Sequence, residues 1–171
     1  MKILIGLGNP GKKYQNNRHN VGQMFVDYLL KNPKSKLQIT NEIQNPNFKL
    51  YKTDCFMNLS GIFVKKLVSH YSLTPNPYSL IIVHDDLDIP LGKFHIQFGV
   101  GPPLHNGLES IEQHLKTKDF WRVRIGVDNR NPEQKIPGET YVLQNFTEEE
   151  IKDLKEVIFP KITSQLKTLL T

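Results

Sequence analysis

The chain contains a single cysteine, Cys55, among its 171 residues. One thiol cannot form a disulfide within the chain and supplies no cysteine cluster for a metal. No apolar run approaches the roughly 18 residues that a membrane-spanning helix needs. The first residues are too few and too glycine-rich for a secretory signal. We find no repeat, no low-complexity tract and no convincing linker, so we expect a single cytoplasmic domain over residues 1–171.

Basic residues outnumber acidic ones, 22 to 17, which gives a formal net charge of +5. Such a balance favours a polyanionic partner without requiring one. A chain of this length is expected to bury roughly two-thirds of its unfolded surface. Because the sequence shows no strongly apolar exposed surface, we expect a monomer.

Helical spacing of apolar residues alternates with short strand-like runs along the chain. Strands are predicted at 3–5, 37–40, 48–55, 80–83, 94–98 and 123–127, with a turn at 45–47. Helices are predicted at 21–30, 64–71 and 108–115. Thr147 and Glu150 have the spacing of a capping box that starts a C-terminal helix, and Pro160 should kink or break that helix. The pattern predicts an α/β fold: a single-domain sandwich with a mixed, mostly parallel central sheet flanked by helices.

The glycines Gly6, Gly8 and Gly11 have the spacing of a dinucleotide-binding turn directly after the first predicted strand. In such a turn the third glycine opens a helix. Here Pro10 precedes the third glycine, and no amphipathic helix can start before about Val21. A lone match of this spacing is weak evidence, so the glycines leave room for another chemistry.

Polar residues follow several predicted strands, where the carboxyl ends of parallel strands meet. Asn9 and His19 follow the first strand, and Asn58, Asp85 and Asn106 follow later ones. A histidine, a carboxylate and several amides in one cleft predict a histidine-activated water whose base is oriented by the carboxylate.

Ordinary structural roles compete with this interpretation. His19 alone is compatible with a buried structural histidine, and Phe56 with a core residue. Asp85, Asp86 and Asp88 could form a solvated loop. The same carboxylates resemble an oxygen-ligand cation site, but they lack the twelve-residue loop with its terminal glutamate.

Five ordered motifs together resemble the bacterial-type peptidyl-tRNA hydrolase family. They are GLGNPGKKYQNNRHNVG, FMNLSG, HDDLDIPLGK, HNGLESI and RIGVDN. The match covers residues 2 to about 145. The opening glycines resemble the first loop of that family, which brings an asparagine and a catalytic histidine to the cleft.

The resemblance implies that the substrate is peptidyl-tRNA, bound by its acceptor stem and 3′-terminal adenosine. His19 matches the general base that activates water, and Asp85 matches the carboxylate that orients it. Asn9 matches the residue that distinguishes a blocked peptide amide from a free α-amine. Asn58 and Asn106 match amides that position the substrate, and Tyr14 and Phe56 match aromatic residues lining the site. The resemblance implies no cofactor and no metal.

The sequence departs from the family in two places. The segment before HNGL reads GVGPPL instead of a run of glycines, so we expect a stiffer loop. Gln97 and Glu109 stand where many members carry a basic residue. The remaining phosphate contacts expected from the sequence are Lys93, Arg122 and Arg124, with Lys116 and Lys118 as a second basic cluster.

Two other functions remain open at this stage. One is a catalytically impaired tRNA- or RNA-binding module on the same fold. The other is a hydrolase with the same mechanism that acts on another ester or amide. The presence of His19, Asp85 and the three asparagines argues against the first.

Overall fold

The computed structural model describes residues 1–32, 48–73 and 77–170. Within these ranges, five strands form one sheet in the order β2-β1-β3-β5-β4. The parallel strands β1, β2, β3 and β5 are joined by β4, which pairs antiparallel with β5 at the edge. The strands are β1 (Lys2–Gly6), β2 (Phe48–Lys52), β3 (Leu80–Pro90), β4 (Phe94–Phe98) and β5 (Trp121–Asp128).

Helices cover both faces of this sheet, which confirms the predicted α/β architecture. One buried cluster packs strand residues such as Ile81 and Val123 against α1 and the C-terminal helices. The other packs residues such as Ile5 and Ile82 against α2 and α3. The helices are α1 (Val21–Lys31), α2 (Ser60–His70), α3 (Asn106–Leu115), α4 (Gly138–Tyr141), α5 (Glu148–Asp153) and α6 (Phe159–Leu170). In this described part, no helix is long and apolar enough to cross a membrane.

Strand β3 extends well beyond its predicted end at residue 83. It continues through the polar run HDDLD to Pro90, so the interpretation of this run as a solvated loop is wrong. Asp85 and Asp86 are 2 % and 1 % exposed. Their burial is possible because each carboxylate has charged or imidazole partners, His19 and His105 for Asp85 and Arg124 for Asp86.

The capping box at Thr147 and Glu150 is present as predicted. Pro160, however, does not end the C-terminal helix, because it is the second residue of α6. A π-helical segment, Leu154–Ile158, joins α5 to α6 just before it. In this wider turn the Phe159 N–H donates to the Leu154 carbonyl, five residues back, instead of to the carbonyl four residues back.

The predicted strand at 37–40 and the turn at 45–47 lie outside the described residues. The predicted strand at 48–55 is shorter than expected and ends at Lys52. The remaining predicted strands and helices are confirmed within a few residues at their ends.

Gly22 lets α1 pass close to β1 and β3 immediately after the His19 turn. A Cβ at Gly22 would lie 2.2 Å from the Val83 carbonyl oxygen, and one at Gly6 would lie 2.3 Å from the Gly22 oxygen. Neither neighbour is the flexible end of a side chain, so the backbone itself would have to move.

We therefore expect Gly22→Ala to destabilise the protein by about 1–3 kcal/mol through overpacking. The gain of about 1 kcal/mol from the better helix propensity of alanine does not offset this. Leu30→Ala is the control, because Leu30 is 56 % exposed on the same helix and should change stability by less than about 0.5 kcal/mol. Urea unfolding measures both. Equal stability of Gly22→Ala and the wild type would contradict the close approach.

Candidate active site

His19 and Asp85 form the centre of the candidate site. His19 lies in a 3-10 turn, Arg18–Asn20, between the first loop and α1, and Asp85 lies in the central strand β3. The His19 Nδ1 atom is 2.8 Å from Asp85 Oδ1, and their side chains are 11 % and 2 % exposed. The structure thus brings together the two residues that the sequence predicts as base and orienting carboxylate.

His105 is a third member of this centre, and no role was predicted for its side chain. Its Nδ1 atom accepts from the backbone N–H groups of Gly107 and Leu108 at 3.2 and 3.3 Å, which caps α3. Since Nδ1 is an acceptor there, Nε2 carries the proton and donates to Asp85 Oδ1 at 2.9 Å. Histidine is an uncommon capping residue, so only its position before α3 could have suggested this role.

One carboxylate oxygen of Asp85 therefore accepts hydrogen bonds from two imidazoles. Because Asp85 accepts from His19 Nδ1, that nitrogen carries the proton and Nε2 keeps its lone pair. The tautomers of His19 and His105 both follow from these contacts.

The pKa shifts follow from burial opposed by this pairing. Burial by itself would lower the pKa of His19, but the charge of Asp85 and its hydrogen bond raise it above the ordinary value. Burial would raise the pKa of Asp85, but His19 and His105 hold it well below its usual range. Asp85 therefore stays ionised at neutral pH and stabilises a proton on His19.

His84 lies beside this centre as a neutral histidine. It is fully buried, and burial lowers its pKa to about 3. Its Nδ1 atom donates to the Asp85 carbonyl oxygen at 2.7 Å, and its ring packs edge-on against His105 at 5.1 Å. His84 therefore adds no second positive charge next to Asp85.

Asn9 is joined by hydrogen bonds to Asn20, the residue after His19, and is 8 % exposed. Its Oδ1 atom accepts from the backbone N–H of Met57 at 2.8 Å. Its backbone is held by the Asn20 side chain, which accepts from Asn9 N and donates to Asn9 O, both at 2.9 Å. These contacts orient the amide with Oδ1 toward Met57 and leave its NH₂ group as a donor for a ligand.

Asn58 and Asn106 are both exposed. Asn106 begins α3, and Asn58 lies in the 3-10 turn Met57–Leu59. The two segments touch closely, since a Cβ at Gly107 would lie 2.5 Å from Met57 Sδ. The predicted pair of substrate amides therefore lies on adjoining segments.

Tyr14 and Phe56 meet near this junction. Their ring centroids are 6.1 Å apart at an interplanar angle of 87°, and Phe56 is 51 % exposed. Phe56 directly precedes Met57, whose backbone N–H holds Asn9. An exposed ring braced by a second ring is suited to packing against a base or ribose.

Two of the predicted phosphate contacts are engaged elsewhere in the structure. Arg122 is fully buried; it pairs with Glu112 at 2.8 Å and its guanidinium lies 4.0 Å from the centroid of the Phe120 ring. Arg124 binds Asp86 and Gln97, both at 2.7 Å. The expectation that Arg122 contacts phosphate does not fit a side chain with no exposed surface. Arg124 already uses its Nε and Nη1 donors within the protein.

Arg122 instead supports the loop that departs from the family pattern. A Cβ at Gly101 would lie 3.0 Å from both Cδ and Nε of Arg122. In the same loop, the side chains of Val100 and Leu104 are 48 % and 89 % exposed. The altered residues of the loop therefore face solvent directly before His105.

Lys93 is exposed in the turn between β3 and β4, at the same end of the sheet as Asp85. Lys116 and Lys118 follow α3, a helix of 10 residues and therefore about 15 Å long. They lie at the end opposite the candidate site. Glu109 is exposed in the first turn of α3 and accepts from Gln113 at 3.3 Å.

One group of side chains among the described residues has the spacing of metal ligands, namely His19, Asp85 and His105. Their ligand atoms lie within 4.8 Å of one another. A metal needs an unprotonated imidazole nitrogen, but His105 Nε2 carries its proton because Nδ1 already accepts two backbone N–H groups. This donor set fits a hydrogen-bonded centre better than a metal.

Comparison with known proteins agrees with this geometry. The family model described as peptidyl-tRNA hydrolase matches residues 3–171. A curated peptidyl-tRNA hydrolase of Thermodesulfovibrio yellowstonii is 41% identical over 171 residues, which covers 96% of this chain and 90% of the relative. The chain belongs to the peptidyl-tRNA hydrolase family.

Other members of the peptidyl-tRNA hydrolase family support the assignment. The protein of Mycobacterium marinum is 40% identical over 86% of this chain and 80% of its own length. The crystal structure of peptidyl-tRNA hydrolase from Acinetobacter baumannii matches with a TM-score of 0.78 and 29% identity, over 99% of this chain and 88% of that one. Both sequence and fold therefore place the five motifs in this family.

The two roles of His105 can be separated by substitution. Asparagine is a good N-cap residue, but it is too short to retain the Asp85 contact. We expect His105→Asn to keep the cap but to lose the hydrogen bond to Asp85, which costs about 1.5 kcal/mol of stability and, because Asp85 is then less well fixed, lowers kcat about tenfold. His105→Ala should lose the same activity and, through the missing cap, about 1 kcal/mol more stability than His105→Asn.

Thermal melts and steady-state hydrolysis of an N-blocked aminoacyl-tRNA measure both effects. Wild-type activity in His105→Asn would contradict a role for the Asp85 contact.

Proposed function

We propose that this chain hydrolyses the ester bond between peptide and tRNA in peptidyl-tRNA and so releases free tRNA. The observation that carries the proposal is the hydrogen-bonded pair of His19 and Asp85, in a chain of the peptidyl-tRNA hydrolase family. The alternative of an impaired binding module is not favoured, because the base, its carboxylate and Asn9 are all in place.

His19 is the general base in this mechanism. Its Nε2 atom takes a proton from a water molecule, whose oxygen attacks the ester carbonyl carbon. The bond to the ribose oxygen then breaks, and the proton passes from His19 to that oxygen. Asp85 stays ionised and stabilises the imidazolium that forms in between.

The three asparagines supply hydrogen-bond donors for the substrate. Asn58 and Asn106 are exposed on adjoining segments, where their amides can bind the peptide and stabilise the developing oxyanion. Tyr14 and Phe56 pack against the 3′-terminal adenosine.

Asn9 explains the preference for a blocked amino group. Since Oδ1 is held by the Met57 backbone, the free NH₂ can donate to a peptide carbonyl but cannot accept from an ammonium group. A free α-amine would be desolvated there without a partner. The site therefore selects peptidyl-tRNA over aminoacyl-tRNA.

Of the three residues predicted to contact phosphate, Lys93 is the one that we assign to the tRNA. It is exposed and lies at the carboxyl end of the sheet, whereas Arg122 and Arg124 are committed to Glu112 and Asp86. Each neutralised phosphate contributes about −0.7 to −0.9 to the slope of log K against log salt concentration. Fewer phosphate contacts therefore predict a weaker salt dependence of tRNA binding.

The function is tested with two matched substrates, N-acetyl-aminoacyl-tRNA and the same aminoacyl-tRNA unblocked. We expect the wild type to cleave the first and largely spare the second. His19→Ala should lower kcat by about 10²–10⁴-fold, the usual contribution of a general base, while binding of uncharged tRNA persists. Binding without cleavage by the wild type would instead identify a binding module, and cleavage of neither tRNA ester would favour another substrate.

The pH dependence tests the role of Asp85. Activity requires neutral His19, so it rises as the pH rises through the pKa of His19, which Asp85 raises. In Asp85→Asn that attraction is gone while burial still lowers the pKa. We expect a lower kcat and an acidic limb of the kcat/KM profile that moves to lower pH. An unmoved limb at wild-type rate would remove Asp85 from the mechanism.

A further inference from the structure

The turn that carries His19 is held by the chain around residues 142–146. The His19 N–H donates to the Val142 carbonyl at 2.8 Å, and the Arg18 N–H to the Gln144 carbonyl at 3.0 Å. Next to them, Asn17 forms an isolated antiparallel bridge with Asn145. The catalytic turn thus pairs with a segment far along the sequence instead of with the central sheet.

Arg18 continues this attachment through its side chain. Its guanidinium lies 4.4 Å from the centroid of the Tyr141 ring and 4.9 Å from that of Phe146. Its Nη2 atom donates to both carboxylate oxygens of Glu150, at 3.2 and 2.9 Å. The side chain is 6 % exposed. A guanidinium that packs on two rings and donates to a carboxylate is restrained in position by both kinds of contact.

Glu150 is in turn fixed by other partners. It is the reciprocal member of the Thr147 capping box, and it accepts from Asn129 at 3.0 Å. Burial by itself would raise the pKa of Glu150, but the hydrogen bonds from Arg18 and these donors hold it below its ordinary value. Glu150 is therefore a charged and rigid anchor at the start of α5.

We propose that Arg18 is a positioning residue that fixes the His19 turn against the C-terminal segment through Glu150. Adjacent residues of a 3-10 turn point in different directions, so Arg18 extends to Glu150 while His19 extends to Asp85. A shift of the turn by about 1 Å would misplace His19 Nε2, and such a displacement is costly for catalysis. The proposal rests on the function proposed above.

The first variant is Arg18→Met, which keeps an unbranched chain between the rings but removes the ion pair. We expect kcat to fall at least tenfold, with KM within about twofold of wild type, because no substrate contact is lost. Arg18→Lys should recover part of kcat, since it restores the charge but not the planar stacking.

A loss of folding is separated from a loss of position in two ways. Val68→Ala removes buried packing from α2 in the other cluster; it should lower Tm while leaving kcat of the folded enzyme unchanged. In a His19→Ala background, Arg18→Met should change the residual rate by less than about twofold, because the residue through which it acts is gone. An equal fold-loss in both backgrounds would overturn the proposal.

Glu150→Gln covers the case in which Arg18→Met does not fold. Glutamine can still form the capping box, but it no longer offers a charge to Arg18. We expect a smaller loss of kcat than in Arg18→Met, again without a change in KM. The proposal would be overturned if Glu150→Gln has the kcat of the wild type and Arg18→Met either also has that kcat or does not fold.

NMR titration of the His19 ring in the free protein does not depend on the reaction. Among the described residues, the ionisable side chains shown against the His19 ring are those of Asp85 and His105. A displaced ring loses the attraction of Asp85 that raises its pKa. We expect the pKa of His19 to fall in Arg18→Met and to stay at the wild-type value in Val68→Ala. An unmoved His19 pKa in Arg18→Met overturns the positioning role. A shifted pKa in a protein whose wild type cleaves no peptidyl-tRNA overturns only the proposed function.

Discussion

A single buried oxygen, Asp85 Oδ1, accepts hydrogen bonds from two histidines, and the candidate site depends on this arrangement. His19 and His105 approach it at 2.8 and 2.9 Å from different parts of the chain. An ionised carboxylate that is 2 % exposed would be strongly unfavourable without such partners. The same contacts decide the tautomer of each ring, and so leave His19 Nε2 as the base. Both the stability of the buried carboxylate and the role of His19 as a base therefore require these two hydrogen bonds to Asp85 Oδ1.

The fold meets this requirement by fixing each partner separately. Asp85 lies in the central strand, whose position is set by pairing with β1 and β5. His105 is fixed as the cap of α3. His19 lies on a short turn, which has little rigidity of its own, and its position comes from Gly22 behind it and from the 142–146 segment beside it. Preorganisation of this kind keeps the base in place without help from the substrate.

The arginines show why net charge does not convert directly into a binding surface. Arg18, Arg122 and Arg124 each pair with a carboxylate, Glu150, Glu112 and Asp86. Arg18 and Arg122 also stack on aromatic rings. A planar guanidinium can satisfy several acceptors and still pack against apolar surface, which suits it to joining elements inside the protein. Each of these pairs is neutral and already cancels in the formal charge of +5, so the excess positive charge lies on other basic residues.

The sequence by itself determined most helices and strands, because the alternation of apolar residues is a local record of burial on one face. It also determined the residue types of the site, since ordered motifs carried His19, Asp85 and the asparagines. It did not predict that β3 continues through HDDLD, because a run of acids is compatible with a strand only when partners neutralise it, and Arg124 lies 38 residues from Asp86. Tertiary structure alone likewise decided three other features: the two contacts of the His105 side chain, the burial of Arg122, and the ion pair of Arg18 with Glu150, 132 residues away. Such contacts depend on which side chains meet across the fold, and no local pattern in the chain encodes that.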